Sequence, residues 1–176
     1  EEGRKLYDAI FVGLVYPKRQ AYLKQLQPHL GDATLKVGNC TVQDLGGVRM
    51  EESHRLYAEN VRRAKLFVNL PSLSRLTVTK VYEVAACGTL CLTPIPQGDQ
   101  RNYAGVPAIF YEPNEPAKLA ENIKHWLAND EEREKIAQQF AQTIQESHTL
   151  EKRCEAMLAK MRFNSGRPRM HGGKKF

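Results

Sequence analysis

The sequence contains no run of about 18 apolar residues, the length that a helix needs to cross the hydrocarbon core of a bilayer. We therefore predict no membrane span. No secretory signal is visible either, because the chain starts with acidic and basic side chains and then enters a strand-like run. The first residue is Glu1 rather than methionine, from which we expect either a trimmed form of the protein or a fragment of a longer chain.

Cysteine is scarce, and none of the four cysteines forms a CxxC pair (Cys40, Cys87, Cys91 and Cys154). A zinc site would need closer ligand spacing and partner histidines, so we expect no metal and no cofactor. Cys87 and Cys91 lie in apolar surroundings, where a free cysteine behaves as a small hydrophobic residue. Reduced, buried thiols are typical of a cytoplasmic protein, and we predict that localisation.

Acidic residues are absent from the end of the chain, where most of the net charge of +6 is concentrated. From Phe163 onward there are four basic residues and no acid, which leaves only +2 for residues 1–162. A segment rich in Gly, Pro, Arg and Lys cannot bury enough apolar surface to order itself. We therefore predict one domain over residues 1–162 and a basic, disordered tail over residues 163–176. The nearly balanced body does not favour nucleic acid as a ligand.

Apolar runs alternate with helical patterns along the body of the chain, which is typical of an α/β fold. The predicted strands are 7–13, 34–38, 65–70, 89–94 and 106–111. The predicted helices are 17–29, 51–63, 79–87, 116–128, 130–145 and 149–162. Strands that are apolar throughout imply a parallel sheet covered on both faces. We therefore predict a Rossmann-like sheet with helices on both faces and a C-terminal helical segment.

A sheet of this kind binds its ligand at the carboxyl ends of the strands, where helix N-termini favour phosphate. Thr79 and Lys80 begin a predicted helix at that edge, and Glu83 lies one turn further on. From this position Glu83 could reach a ribose diol, a charge-assisted contact worth roughly 1.5–3 kcal/mol. On spacing alone, a solvated glutamate on an amphipathic helix stays an open alternative.

The segment KVYEVAACGTL, from Lys80 to Leu90, closely resembles a signature of GT-B glycosyltransferases. It is most similar to the group typified by the CgeB spore-maturation protein. Residues 7–19, 57–69 and 129–153 resemble further stretches of that family in the same order. The resemblance implies one half of a GT-B fold, the half that binds the nucleotide-sugar donor. It also implies an acceptor-binding N-terminal domain that is absent from this chain.

The resemblance implies a role for each residue that matches the family's nucleotide site. Glu83 matches the residue that binds the ribose hydroxyls of the nucleotide. Thr79, Lys80 and Val81 match the helix start that meets the diphosphate, which needs no metal there. Gly13 matches the glycine-loop position near the phosphates.

Four further positions have roles that the resemblance defines less closely. Lys18 and Arg19 are alternatives for the positive charge beside the phosphates. Val48 lies where such domains hold the nucleobase. Arg75 stands where many retaining GT-B enzymes carry a second glutamate, so it could meet a phosphate or an acidic sugar, or lie exposed in a loop. Tyr103 lies in a loop near the predicted cleft and could touch donor or acceptor.

These features together predict the donor-binding domain of a glycosyltransferase that uses a nucleoside-diphosphate sugar and an unknown acceptor. We expect this half of the enzyme to be inactive alone. Two alternatives stay open. One is a non-catalytic, regulatory nucleotide-binding domain with the same Rossmann-like fold, and the other is a partner- or nucleic-acid-binding protein that acts through its basic tail.

Overall fold

The fold consists of one sheet and the helices that cover it, seen in a computed structural model that describes residues 4–38, 50–72, 79–97 and 105–165. The described strands are β1 (Tyr7–Val12), β2 (Leu35–Gly38), β3 (Ala64–Val68), β4 (Leu90–Pro94) and β5 (Ile109–Tyr111). The described helices are α1 (Pro17–Leu26), α2 (Met50–Arg62), α3 (Lys80–Ala86), α4 (Pro116–Ala128), α5 (Asp130–Ser147) and α6 (Leu150–Ser165).

The strands pair in the order β2-β1-β3-β4-β5, and every pair is parallel. The chain moves outward from β1 to β2 and then returns to the other side of β1 to form β3. This reversal creates a switch point between β1 and β3, where doubly wound sheets open a crevice for ligands. The predicted α/β, Rossmann-like parallel sheet is confirmed.

Alternate residues of the strands contribute side chains to two apolar layers, one on each face of the sheet. Phe11 and Leu66 pack with α1 and α4 on one face, whereas Phe67 and Cys91 pack with α2 and α3 on the other. All four side chains are fully buried. Because both faces are covered, neighbouring positions such as Leu66, Phe67 and Val68 are all apolar and buried, rather than every second one.

The boundaries differ from the predicted ones where proline or a turn competes with the regular element. The helix predicted over 17–29 ends at Leu26 and continues as a 3-10 turn over Gln27–His29, because Pro28 has no N–H for the α-helical ladder. Helix α3 stops before Gly88, whose φ of 67° lies in the left-handed region that glycine adopts at low cost.

The C-terminal helix α6 continues to Ser165, and the residues after it lie outside the described ranges. The division into a domain over 1–162 and a tail over 163–176 therefore stays a prediction. Within the described ranges, no helix is both long and apolar enough to cross a membrane.

The three described cysteines are free thiols in three different environments: Cys91 is buried, Cys87 is half-buried and Cys154 is exposed. Burial raises the pKa of both the Cys91 and the Cys87 thiol, so these two stay protonated near neutral pH. The expectation of buried thiols therefore holds for Cys91 and only partly for Cys87, whereas Cys154 contradicts it because α6 packs lightly on the domain. Cys40 lies outside the described residues.

Candidate functional site

A cleft of about 780 Å³ opens at the carboxyl end of β1, beside the switch point of the sheet. The β1–α1 loop, helix α2 and helix α3 form its walls. Most of the lining is apolar, and a few charged or polar side chains converge in it. Volume and lining are both typical of a small-molecule site.

Helix α3 presents one face to the cleft and the opposite face to the core. Lys80 and Glu83 are three residues apart, and Cys87 follows four residues later, so all three lie on the side that lines the cleft. Val81 and Val84 are fully buried on the other side, where they pack against the sheet. Burial of these valines therefore sets the direction in which Lys80 and Glu83 point.

Lys80 ties α3 to the end of β1. Its ammonium Nζ donates a hydrogen bond to the carbonyl oxygen of Val12 at 2.6 Å. The same atom lies 5.7 Å from the centre of the Phe11 ring and 6.0 Å from that of Phe67, which is within the range of a cation–π interaction. The positive charge is therefore held at the mouth of the β1–α1 loop.

Gly13 follows β1 and leaves the space that the Lys80 side chain occupies. A Cβ atom at this position would lie 3.1 Å from Lys80 Nζ and 3.0 Å from Cζ of Phe11. Both contacts are tighter than ordinary van der Waals separations, so a larger residue would displace one of the two side chains. The absence of a side chain at Gly13 therefore keeps the ammonium in place and the backbone open to the cleft.

Glu83 lines the cleft one turn beyond Lys80 and is exposed to solvent. Among the described residues it has no side-chain hydrogen bond and no salt bridge. Both carboxylate oxygens can therefore accept hydrogen bonds from a ligand.

Thr79 and Val81, predicted at the same helix start, do not line the cleft with their side chains. Thr79 is exposed, and its carbonyl accepts hydrogen bonds from the backbone N–H groups of Tyr82 at 2.9 Å and Glu83 at 3.3 Å. The Val81 side chain is fully buried, so this residue can offer a ligand only its backbone.

Arg19 lines the cleft and braces the loop that forms one of its walls. Its guanidinium donates to the carbonyl oxygens of Leu14 at 2.9 Å, Pro71 at 3.0 Å and Leu70 at 3.3 Å. It thereby joins the β1–α1 loop to the segment that follows β3. Lys18 is exposed and lines a separate cavity instead of the cleft. The structure therefore separates the two cations that the sequence left as alternatives.

Helix α2 contributes Ser53, His54 and Tyr57 to the cleft, and none of them was predicted. The spacing of one turn between Ser53 and Tyr57 is visible in the sequence, but local spacing does not determine how α2 is oriented toward the cleft. Burial raises the pKa of the Tyr57 hydroxyl, and that hydroxyl has no hydrogen-bond partner among the described residues. Its ring packs edge-on against Phe67, with the ring centres 6.5 Å apart.

Three predicted residues, Val48, Arg75 and Tyr103, lie outside the described ranges. The described part of the chain contains no group of three or more His, Cys, Asp or Glu side chains that could hold a metal ion.

Comparisons with known proteins identify the family. A family model described as "Glycosyl transferase-like" matches residues 31–159, which is most of the chain. No curated protein matches. The crystal structure of TarM is similar with a TM-score of 0.61 and 12% sequence identity, over 90% of this chain and 36% of the TarM chain. At this identity the likeness shows the fold, which is that of one GT-B half-domain. By the family match, the chain belongs to the glycosyl transferase-like family.

Proposed function

We propose that this domain binds the nucleoside-diphosphate sugar donor of a glycosyltransferase. One observation carries the proposal: Glu83, Lys80 and Gly13 converge in a single, largely apolar cleft at the switch point of the sheet. A nucleotide combines the matching groups, which are a base with flat aromatic faces, a ribose diol and a charged diphosphate.

Each part of the cleft suits one part of that ligand. The apolar wall that includes Tyr57 suits the base, and the carboxylate of Glu83 suits the ribose hydroxyls. The Lys80 ammonium beside the open backbone of Gly13 suits the diphosphate. Val48 and Arg75 stay predicted contacts to the base and to the phosphates or sugar.

The same arrangement would assist sugar transfer. When the bond between the sugar and the diphosphate breaks, negative charge develops on the leaving nucleoside diphosphate. A cation that is already held in place stabilises this charge without reorganisation. Lys80 is held in this way by its hydrogen bond to Val12, so we assign it this role without a metal ion.

We further propose that the acceptor site and the general base belong to a second domain. The chain spans 36% of the length of TarM, which leaves room for such a domain in a full-length relative. The CgeB-like subgroup stays a prediction from the sequence motif, as does a cytoplasmic location.

Thermal-shift and calorimetry measurements with UDP, GDP, ADP, CMP and their sugar conjugates test the proposal. A ligand at about 100 times its dissociation constant should stabilise the fold by about 2.7 kcal/mol. We expect one nucleotide to give such a shift and Glu83→Gln to lose most of it. Glu121→Gln removes an equally exposed carboxylate on α4 and should retain the shift. Equal binding by the two variants, or no response to any nucleotide, would contradict the proposal.

A further inference from the structure

A second cavity, of about 170 Å³, lies beside the cleft at the carboxyl ends of β3 and β4. Arg19 lines both spaces, whereas Lys18 lines only the second cavity. No acidic side chain lines it within the described ranges. Its electrostatic environment is therefore positive, although the body of the chain is close to neutral.

The wall of this cavity contains a buried amide that is fixed in place. Asn69 is only 7% exposed, and its side-chain nitrogen donates to the hydroxyl of Thr93 at 3.0 Å. Its backbone carbonyl accepts a hydrogen bond from the Tyr111 hydroxyl at 2.7 Å. A side-chain amide has two N–H donors, and these contacts use one of them.

We propose that this second cavity binds an oxyanion, a phosphate or a carboxylate, on a ligand group other than the diphosphate of the nucleotide. Lys18 and Arg19 supply the positive charge, and the second N–H of the Asn69 amide supplies a neutral donor. This assignment rests on the proposed function of the cleft as the donor site. The anion then belongs to a charged substituent of the transferred sugar or to the acceptor, because both must lie beside the bound nucleotide.

Calorimetric titration of the whole chain with inorganic phosphate tests the cavity independently of nucleotide. We expect Lys18→Ala to weaken phosphate binding on the order of tenfold. Lys24→Ala is the matched control, because it removes the same charge from an exposed position of α1 that does not line the cavity. Equal losses in Lys18→Ala and Lys24→Ala would show general attraction to a positive surface and would overturn the proposal, as would undetectable phosphate binding.

Titration in the presence of saturating nucleoside diphosphate separates the two sites. We expect phosphate to bind with nearly unchanged affinity. Displacement of phosphate by the nucleotide would overturn the proposal, because the cavity would then be part of the diphosphate site. If no nucleotide binds at all, the proposed donor function fails, whereas phosphate binding that depends on Lys18 would still support the cavity as an anion site.

The source of the anion can be identified by measuring the affinity for two nucleotide sugars that share a base. One carries an acidic sugar and the other a neutral sugar. A loss of affinity in Lys18→Ala for the acidic sugar alone would support an anion on the donor. Equal affinities of wild type and variant for both, together with phosphate binding that depends on Lys18, would support an anion on the acceptor.

Discussion

At the scale of single residues, the cleft depends on one missing side chain and one guanidinium. Gly13 has no Cβ, and the Lys80 ammonium lies where a Cβ would crowd it. Arg19 satisfies three backbone carbonyls and, together with the Tyr16 hydroxyl that also donates to Pro71, joins the β1–α1 loop to the segment after β3. Both residues therefore influence ligand binding through the shape of the cleft, even without a strong contact of their own to the ligand.

The substitution Gly13→Ala should weaken nucleotide binding about tenfold, because it displaces the Lys80 ammonium from its position beside the phosphates. Calorimetry with the nucleotide identified in the panel measures the effect. Gly38→Ala is a suitable control, since a Cβ there would make only ordinary contacts of 3.5 Å or more. Similar affinities for the two variants would argue against this role of Gly13.

The substitution Arg19→Lys should lower the free energy of unfolding by about 1–3 kcal/mol. A lysine ammonium cannot reproduce the planar fork that meets the carbonyls of Leu14, Leu70 and Pro71. Denaturant unfolding measures the change. Arg55→Lys, at an exposed position of α2 with one weak ion pair, should change the stability little. A stable Arg19→Lys variant would show that the guanidinium does not brace the loops.

At the scale of secondary-structure elements, α3 is held on both sides. Its buried valines attach it to the sheet, and Tyr82 attaches it to the junction of α5 and α6. The Tyr82 ring contacts the ring of His148, at 5.0 Å between centres, and the guanidinium of Arg153, at 4.6 Å from the ring centre. Because Tyr82 lies between Lys80 and Glu83 in sequence, this stack also helps to position both of them.

The substitution Tyr82→Ala should lower the free energy of unfolding by about 1–3 kcal/mol and also weaken nucleotide binding. The loss of binding distinguishes a positioning role from packing alone. Tyr82→Phe keeps the ring and both of its stacking partners, so it should behave like the wild type. Unfolding curves and calorimetry on the same samples provide the two measurements. Normal nucleotide affinity in a destabilised Tyr82→Ala variant would contradict the positioning role.

At the scale of the whole molecule, the charge and the candidate site occupy different parts of the chain. Every described residue that lines the cleft precedes Gly88, whereas four of the six net positive charges follow Phe163. A function carried by the basic tail and a function carried by the cleft can therefore be separated by truncation.

A chain that ends at Ser165 should keep its nucleotide affinity and its thermal midpoint, because the sheet, the core and the cleft lie before that point. It should lose weak, salt-sensitive attraction to polyanions, since its net charge falls from +6 to +2. Calorimetry and a polyanion-binding assay at two salt concentrations measure both. If truncation abolished the main binding activity and Glu83→Gln did not, the tail would carry the function.

The sequence alone determined the elements and the class of the fold. Apolar runs such as residues 66–68 are visible because a strand segment that is buried on both faces is apolar at consecutive positions. Glu83 and Lys80 could also be assigned to one site, because residues three apart on a helix share a face whatever the helix packs against.

Only the tertiary structure decided which neighbouring residues share a space. Lys18 and Arg19 differ by about 100° around α1, so the docking of that helix determines that Arg19 faces the cleft while Lys18 lines the second cavity. The contribution of Tyr57 to the cleft has the same origin, since it depends on how α2 lies against α3. The local sequence pattern specifies helices and strands, because the interactions that form them act within a few residues. Clefts arise from packing between elements that are distant in sequence.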